Sequence, residues 1–137
     1  MTLLLLDTTF LIDTERGATD LDDLIDDDDD VAIAAITLAE LTVGVELASA
    51  RQRSRRQSFV DEIAASIPIL PYDEAVALRH ANLLVAARRI GRPRGAHDLI
   101  IAATAAAAGR TLVSADRRAF DGLPGVTAID HRGVQRS

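Results

Sequence analysis

The sequence predicts an α/β domain, a central parallel sheet of about five strands with helices on both faces, and three observations lead there. Leu3–Leu6 and Val31–Ile36 are apolar at every position and of strand length, as strands buried on both faces are. Such runs alternate with segments of helical periodicity along the whole chain, the pattern of parallel strands joined by right-handed crossovers. Acidic residues stand at the ends of these runs, Asp7 directly after Leu6 and Asp116 just past Ser114, where open α/β sheets form their ligand crevice.

A chain of 137 residues, 48% of them hydrophobic, has enough material for one core and too little for two, so residues 1–137 are read as a single domain. No cysteine is present, which excludes disulfides, thiolate zinc sites and cysteine nucleophiles together. All 15 basic residues are arginine. The missing lysine removes P-loop chemistry, Schiff bases and the receiver-domain site. A net charge of −6 argues against bulk attraction to nucleic acid and leaves room for local contact through clustered arginines and a metal. The longest uncharged apolar run, Leu99 to Gly109, is too short to span a membrane. The leading leucines lack a basic flank and meet Asp7 almost at once, unlike a signal peptide. A soluble cytoplasmic protein is expected.

Taken in order, Leu3–Leu6 is the first strand, and Thr9–Glu15 is a short helix capped by Gly17. Thr19 to about Asp28 carries Leu21, Leu24 and Ile25 at helical spacing. The run Asp26–Asp30 has neither the glycine nor the closing glutamate of a calcium loop and reads as a solvated acidic stretch. Val31–Ile36 is the second strand. Thr37 opens a helix to about Ala50, with Thr37 and Glu40 spaced as a capping box. Val43, Gly44 and Leu47 place apolar neighbours on the face of Glu40, whereas Glu46 reads as surface.

Arg51–Arg56 leads into a helix with Phe59, Val60, Ile63 and Ala64 on one side, and its arginines read as a solvated face with a partner or RNA contact as the minority alternative. Ile67–Pro71 is a short proline-bounded strand near an edge. Asp73–Ile90 is a long helix with Ala75, Val76, Leu78, Ala81, Leu84 and Val85 as its apolar positions, and His80 is packed or superficial rather than a ligand. Gly91-Arg92-Pro93-Arg94-Gly95 is a stiff basic loop placed to meet something anionic. Ala96–Ala108 is strongly helical, with Asp98 favoured in its first turn by the helix dipole whatever its function. Thr111–Ser114 is the fourth strand, Arg117–Phe120 one helical turn, Val126–Ile129 the fifth strand, and His131–Ser137 a loose basic tail.

Asp7 has two readings: an acid after a strand is a helix cap as readily as a site residue. Other carboxylates at equivalent places decide between them. Glu40 lies in the helix entered from the second strand, Asp98 opens the helix that leads to the fourth, and Asp116 follows the fourth. If these converge, two carboxylates about 5 Å apart repel by roughly 3 kcal/mol at an effective dielectric near 20. Protonation or a cation must relieve that repulsion. All-oxygen donors select a hard ion, Mg²⁺ or Mn²⁺. Such an ion suits phosphodiester hydrolysis, and Arg92 and Arg94 are then candidates for gripping an RNA backbone.

Asp7-Thr8-Thr9 after an apolar start, Thr37-Leu38-Ala39-Glu40-Leu41 with Gly44, His97-Asp98-Leu99-Ile100-Ile101-Ala102-Ala103, and Leu112-Val113-Ser114-Ala115-Asp116 before Phe120 together resemble the PIN-domain ribonucleases, specifically the VapC toxins of bacterial toxin–antitoxin pairs. The resemblance spans essentially the whole chain and implies a PIN-like fold. It implies that Asp7, Glu40, Asp98 and Asp116 are the catalytic and metal-site acids, that Ser114 is the family's hydroxyl beside the last acid, and that Thr9 is its small polar residue after the first. Asp13 falls outside that set. The resemblance further implies an endoribonuclease acting on structured RNA such as tRNA or rRNA, a homodimer, and inhibition by a cognate VapB antitoxin that wraps the toxin and places a side chain near the acidic pocket.

Three other enzyme classes start similarly and fail on residues. A haloacid-dehalogenase phosphatase and a DEDD exonuclease both want an acid where Thr9 stands, and a receiver domain needs the absent lysine. The remaining alternative is a non-catalytic PIN-like module that only binds protein or RNA.

Overall fold

The structure is a computed structural model that describes residues 2–17, 25–92 and 94–130. The first part of the helix expected over Thr19–Asp28 and the tail from His131 lie outside those residues. Asp26–Asp29 forms a turn closed by Asp29 N donating to Asp26 O, so no helix reaches it.

The elements run β1 (Leu3–Leu6), α1 (Thr8–Glu15), β2 (Asp30–Ala34), α2 (Ala35–Glu46), α3 (Ala50–Ser66), β3 (Ile69–Leu70), α4 (Glu74–Ile90), α5 (Ala96–Ala108), β4 (Thr111–Ser114), a 3-10 turn (Arg117–Ala119) and β5 (Ala128–Asp130). The sheet has five strands in the order β3-β2-β1-β4-β5, and every pairing is parallel. The chain winds outward from β1 through β2 to β3, then returns to lay β4 on the other side of β1. The switch point, where the crevice of such a sheet opens, therefore lies between β1 and β4.

Side chains of β1 alternate between two cores. Leu4 and Leu6 pack with Phe10, Leu11, Leu41 and Val45 from α1 and α2, together with Val60 of α3. Leu5 faces the opposite core, with Val76 and Leu83 of α4 and Leu99, Ile101 and Ala102 of α5. Both faces of the sheet are thus covered, which is why its strands are apolar throughout. Each buried leucine contributes about 1.5–3 kcal/mol through apolar area removed from water.

Three local expectations are corrected. The second helix begins at Ala35 rather than Thr37, so the capping box does not form. Ala34 occupies the cap position, and Thr37 sits fully buried in the first turn with its hydroxyl lacking a partner among the described residues. The face of α2 shared by Val43 and Leu47 is exposed, at 54% and 81%, because Thr37, Leu41 and Val45 turn to the sheet instead. In α4 the buried positions are Val76, Leu83 and Ala87, while Leu78, Leu84, Val85 and Ile90 stay exposed. An apolar stripe wider than the sheet can cover leaves such a surplus outside. His80 accepts or donates at Nδ1 to Tyr72 Oη at 2.8 Å, a local surface pair as expected. Among the described residues no helix is long and apolar enough to cross a membrane.

Candidate metal centre at the carboxyl edge of the sheet

Asp7 leaves the last residue of β1 in extended geometry and is itself the N-cap of α1. Its Oδ1 accepts from Thr8 N at 2.7 Å. The cap and the site acid are therefore one residue, and neither Thr8 nor Thr9 is needed as the cap. Asp7 is only 3% exposed. Its Oδ2 accepts from Ser114 Oγ at 2.7 Å and Thr9 Oγ1 at 3.1 Å.

The same two hydroxyls hold the far side of the crevice. Ser114 Oγ accepts from Asp116 N at 3.0 Å, and Thr9 Oγ1 accepts from Ala115 N at 2.9 Å. Ser114 is fully buried at the end of β4. It cannot be presented to a substrate and acts as a positioning residue, clamping Asp7 to the backbone that carries Asp116. Asp116 itself is exposed.

Glu40, on α2, is half-buried and accepts from Thr8 Oγ1 at 2.8 Å. His97 Nδ1 stands 3.4 Å from its other carboxylate oxygen. Asp98 lies one residue on, in the first turn of α5. A Cβ on Gly95 would come within 2.9 Å of Asp98 Oδ2, so the absence of a side chain there leaves room for this carboxylate to fold back over the helix start.

Burial and neighbouring charge shift two of these acids in the same direction. Burial pushes the Asp7 carboxyl above its ordinary value of 3.8, and Glu40 adds to the rise; the bonds from Ser114, Thr8 and Thr9 oppose it. Asp98 is raised as well, first by burial and then by the charges of Asp7, Asp116 and Glu40, with His97 acting the other way. Asp98 therefore feels the charge of each of the other three sequence-predicted acids. Asp98 and Asp116 line an open cleft of about 320 Å³ with Arg92, Arg94 and Arg118.

The donor set fits a hard divalent cation. It is all oxygen, and a dication relieves both the burial of Asp7 and the mutual repulsion. The quartet is nonetheless open. Among the described residues, only Asp26, Asp28 and Asp29 bring three ligand atoms within 4.8 Å of one another. An open cleft suits Mg²⁺, which keeps several waters and takes one or two carboxylates directly. The tighter trio is a solvated turn: Asp29 spends its carboxylate on Thr2 N and Asp26 N, both at 3.0 Å.

Arg92 and Arg94 reach to the backbone of residues 118–121. Arg92 Nη2 donates to the Arg118 carbonyl, and Arg94 donates to the Ala119 and Asp121 carbonyls at 3.1 and 2.6 Å. Asp13 is buried, on the face of α1 turned to the core. Thr8, His97 and Gly95 are the site residues that sequence reasoning passed over. The one signal for them was adjacency, since each lies within three positions of a chosen acid.

The PIN domain model matches residues 4–125. The chain is 38% identical over 126 residues to Ribonuclease VapC5 of Mycobacterium tuberculosis, covering 91% of this chain and 90% of that protein. It is 30% identical over 100 residues to the tRNA(fMet)-specific endonuclease VapC of Salmonella typhimurium, covering 73% and 74%. The crystal structure of VapBC-5 from M. tuberculosis, a member of the VapBC family of toxin–antitoxin systems, superposes with a TM-score of 0.79 at 32% identity over 95% of this chain and 99% of that one. With fold, crevice and relatives in agreement, the chain belongs to the PIN-domain family, within its VapC group.

Proposed function

We propose that this protein is a metal-dependent endoribonuclease toxin, neutralised by a cognate VapB-type antitoxin and acting on structured RNA such as tRNA or rRNA in the cytoplasm. The observation that carries the reading is the buried Asp7, held by two hydroxyls and raised by its burial and by Glu40; its own charge, with those of Asp116 and Glu40, adds to the rise that burial gives Asp98. Asp7, Asp98 and Asp116 would hold Mg²⁺ or Mn²⁺, with Glu40 beside them. Bound there, the ion supplies an activated water and charge neutralisation for phosphodiester hydrolysis.

The chain's own contribution is placement. Ser114 and Thr9 fix Asp7 and the Asp116 backbone in one frame, so two acids from different strands keep their spacing as substrate enters. Thr8 does the same for Glu40. The open cleft leaves room for a phosphate beside Asp98 and Asp116.

Two surfaces support the partner reading. A groove lined by Ile12, Leu41, Phe59 and Val60 also includes Glu40, so a segment bound in it would adjoin the acidic cleft and block it. The exposed Leu78, Leu84, Val85 and Ile90 of α4 offer the apolar area a homodimer would bury.

Purified protein incubated with RNA and Mn²⁺ tests the reading. Asp7→Ala and Asp98→Ala are each expected to lower the cleavage rate by about 10²–10³-fold, the scale of losing one preorganised electrostatic group. Asp26→Asn/Asp28→Asn should leave it unchanged. Cleavage absent under every metal and RNA condition would favour a non-catalytic binding module instead.

A further inference from the structure

An RNA strand that reaches Asp98 and Asp116 brings negative charge towards negative charge, on a chain whose net charge is −6. Cations at the cleft mouth must offset this, and three arginines line it: Arg92, Arg94 and Arg118. Their side chains are not equivalent. Arg94 spends both Nη atoms on the carbonyls of Ala119 and Asp121, and its Nε is buried without a partner among the described residues. Arg92 spends Nη2 on the carbonyl of Arg118 itself. The Arg118 side chain is exposed and, among the described residues, has no hydrogen-bond or ion-pair partner.

The two arginines thus grip the backbone on which the third is mounted. The mount is short. Arg118 lies in the 3-10 turn two residues after Asp116, whose own amide is fixed by Ser114. The position of the Arg118 Cα relative to the acids is therefore set from two sides, by the hydroxyl clamp at Asp116 and by the guanidinium pair at residues 118–121. A planar guanidinium so placed, with its full fork of donors uncommitted, matches the geometry of a phosphate.

We propose that Arg118 grips an RNA phosphate at the mouth of the acidic cleft, and that Arg92 and Arg94 are positioning residues that hold the Arg118 backbone for that purpose. The proposal rests on the ribonuclease reading and adds to it which residue contacts the substrate backbone.

The probe is a short end-labelled single-stranded RNA of random sequence, followed by fluorescence anisotropy across a salt series, alongside cleavage kinetics with Mn²⁺. Arg118→Ala is expected to weaken binding about 5- to 10-fold at low salt and to reduce the slope of log affinity against log salt by about 0.7, one phosphate contact on a single strand. KM should rise with kcat nearly kept, and Arg118→Lys should recover part of the loss. Arg94→Ala should weaken binding in the parent and add nothing when Arg118 is already alanine, an interaction that a purely structural role would not produce. Arg55→Ala, which removes an equal charge from the exposed surface of α3, is the control.

Equal loss in Arg55→Ala and Arg118→Ala would reduce the effect to net charge and overturn the proposal. So would an Arg118→Ala protein that binds and cleaves like the parent, with the ribonuclease reading intact. A parent protein that neither binds nor cleaves RNA would sink that reading as well, and the two failures are distinct.

Discussion

Two acidic clusters in this molecule look alike by composition and differ in everything that decides function. Asp26, Asp28 and Asp29 stand closer together than any three acids of the crevice, yet water solvates them and Asp29 serves as a turn cap. The crevice acids are fewer per residue of sequence and further apart, but Asp7 is buried, locked by hydroxyls and raised in pKa, and Asp98 feels three other carboxylates. Proximity of carboxylates in water costs little because solvent screens them. Burial makes the same charges expensive, and an expensive arrangement that persists is the one that calls for a cation.

The largest test of that contrast after the loss of cleavage is metal binding. Millimolar Mg²⁺ or Mn²⁺ should raise the melting temperature by mass action, about 2.7 kcal/mol when the ion is at 100 times its Kd. Asp7→Asn should blunt the rise and Asp26→Asn/Asp28→Asn should not. The reverse result would move the metal to the solvated turn, and an unchanged melting curve would leave neither cluster as a site.

Breaking the clamp is next. Ser114→Ala removes a donor from buried Asp7 and an acceptor from Asp116 N, and should cost about 1–3 kcal/mol in urea unfolding, the penalty for unsatisfied buried groups. It should also shrink the metal-induced stabilisation. Retention of both would show that Thr9 alone holds the frame.

The smallest effect sharpens the comparison by its sign. Asp7 is raised above 3.8, so the folded, metal-free protein holds a proton there that the unfolded chain has already lost. Stability should therefore fall as pH rises from about 4 through the raised value, and Asp7→Asn should flatten the fall, with Asp98 supplying what remains. Asp29 is lowered, chiefly by the bond from the Asp26 amide. Its contribution is complete above the ordinary value and lost as pH falls through the lowered one. Urea titrations of Asp7→Asn and Asp29→Asn across this range should differ from the parent in opposite senses.

Much of this was legible in the sequence because strands buried on both faces are apolar throughout and end at marked places. β1 and β4 were delimited by Asp7 and by Ser114 with Asp116, and these boundaries placed two acids at the switch point. Glu40 was picked out by its place in the helix after the second strand, and the rival capping-box reading fails because α2 starts two residues early. Its partner is Thr8, from another element, and no spacing rule reaches across 32 residues. The hydrogen bonds of the arginines were out of reach for the same reason. Arg92 and Arg94 look free in a glycine-flanked loop, and only the tertiary fold shows the carbonyls of residues 118–121 waiting for them.

By itself, then, the chain's pattern of apolar runs, glycines and isolated acids determined the α/β class, the parallel sheet and the edge at which a site must lie, because burial and strand period act locally. The tertiary structure decided which hydroxyls clamp Asp7, which carboxylates perturb Asp98 and which arginine remains available at the cleft. Those outcomes depend on contacts between residues far apart in sequence, where packing geometry rather than local propensity selects the partner.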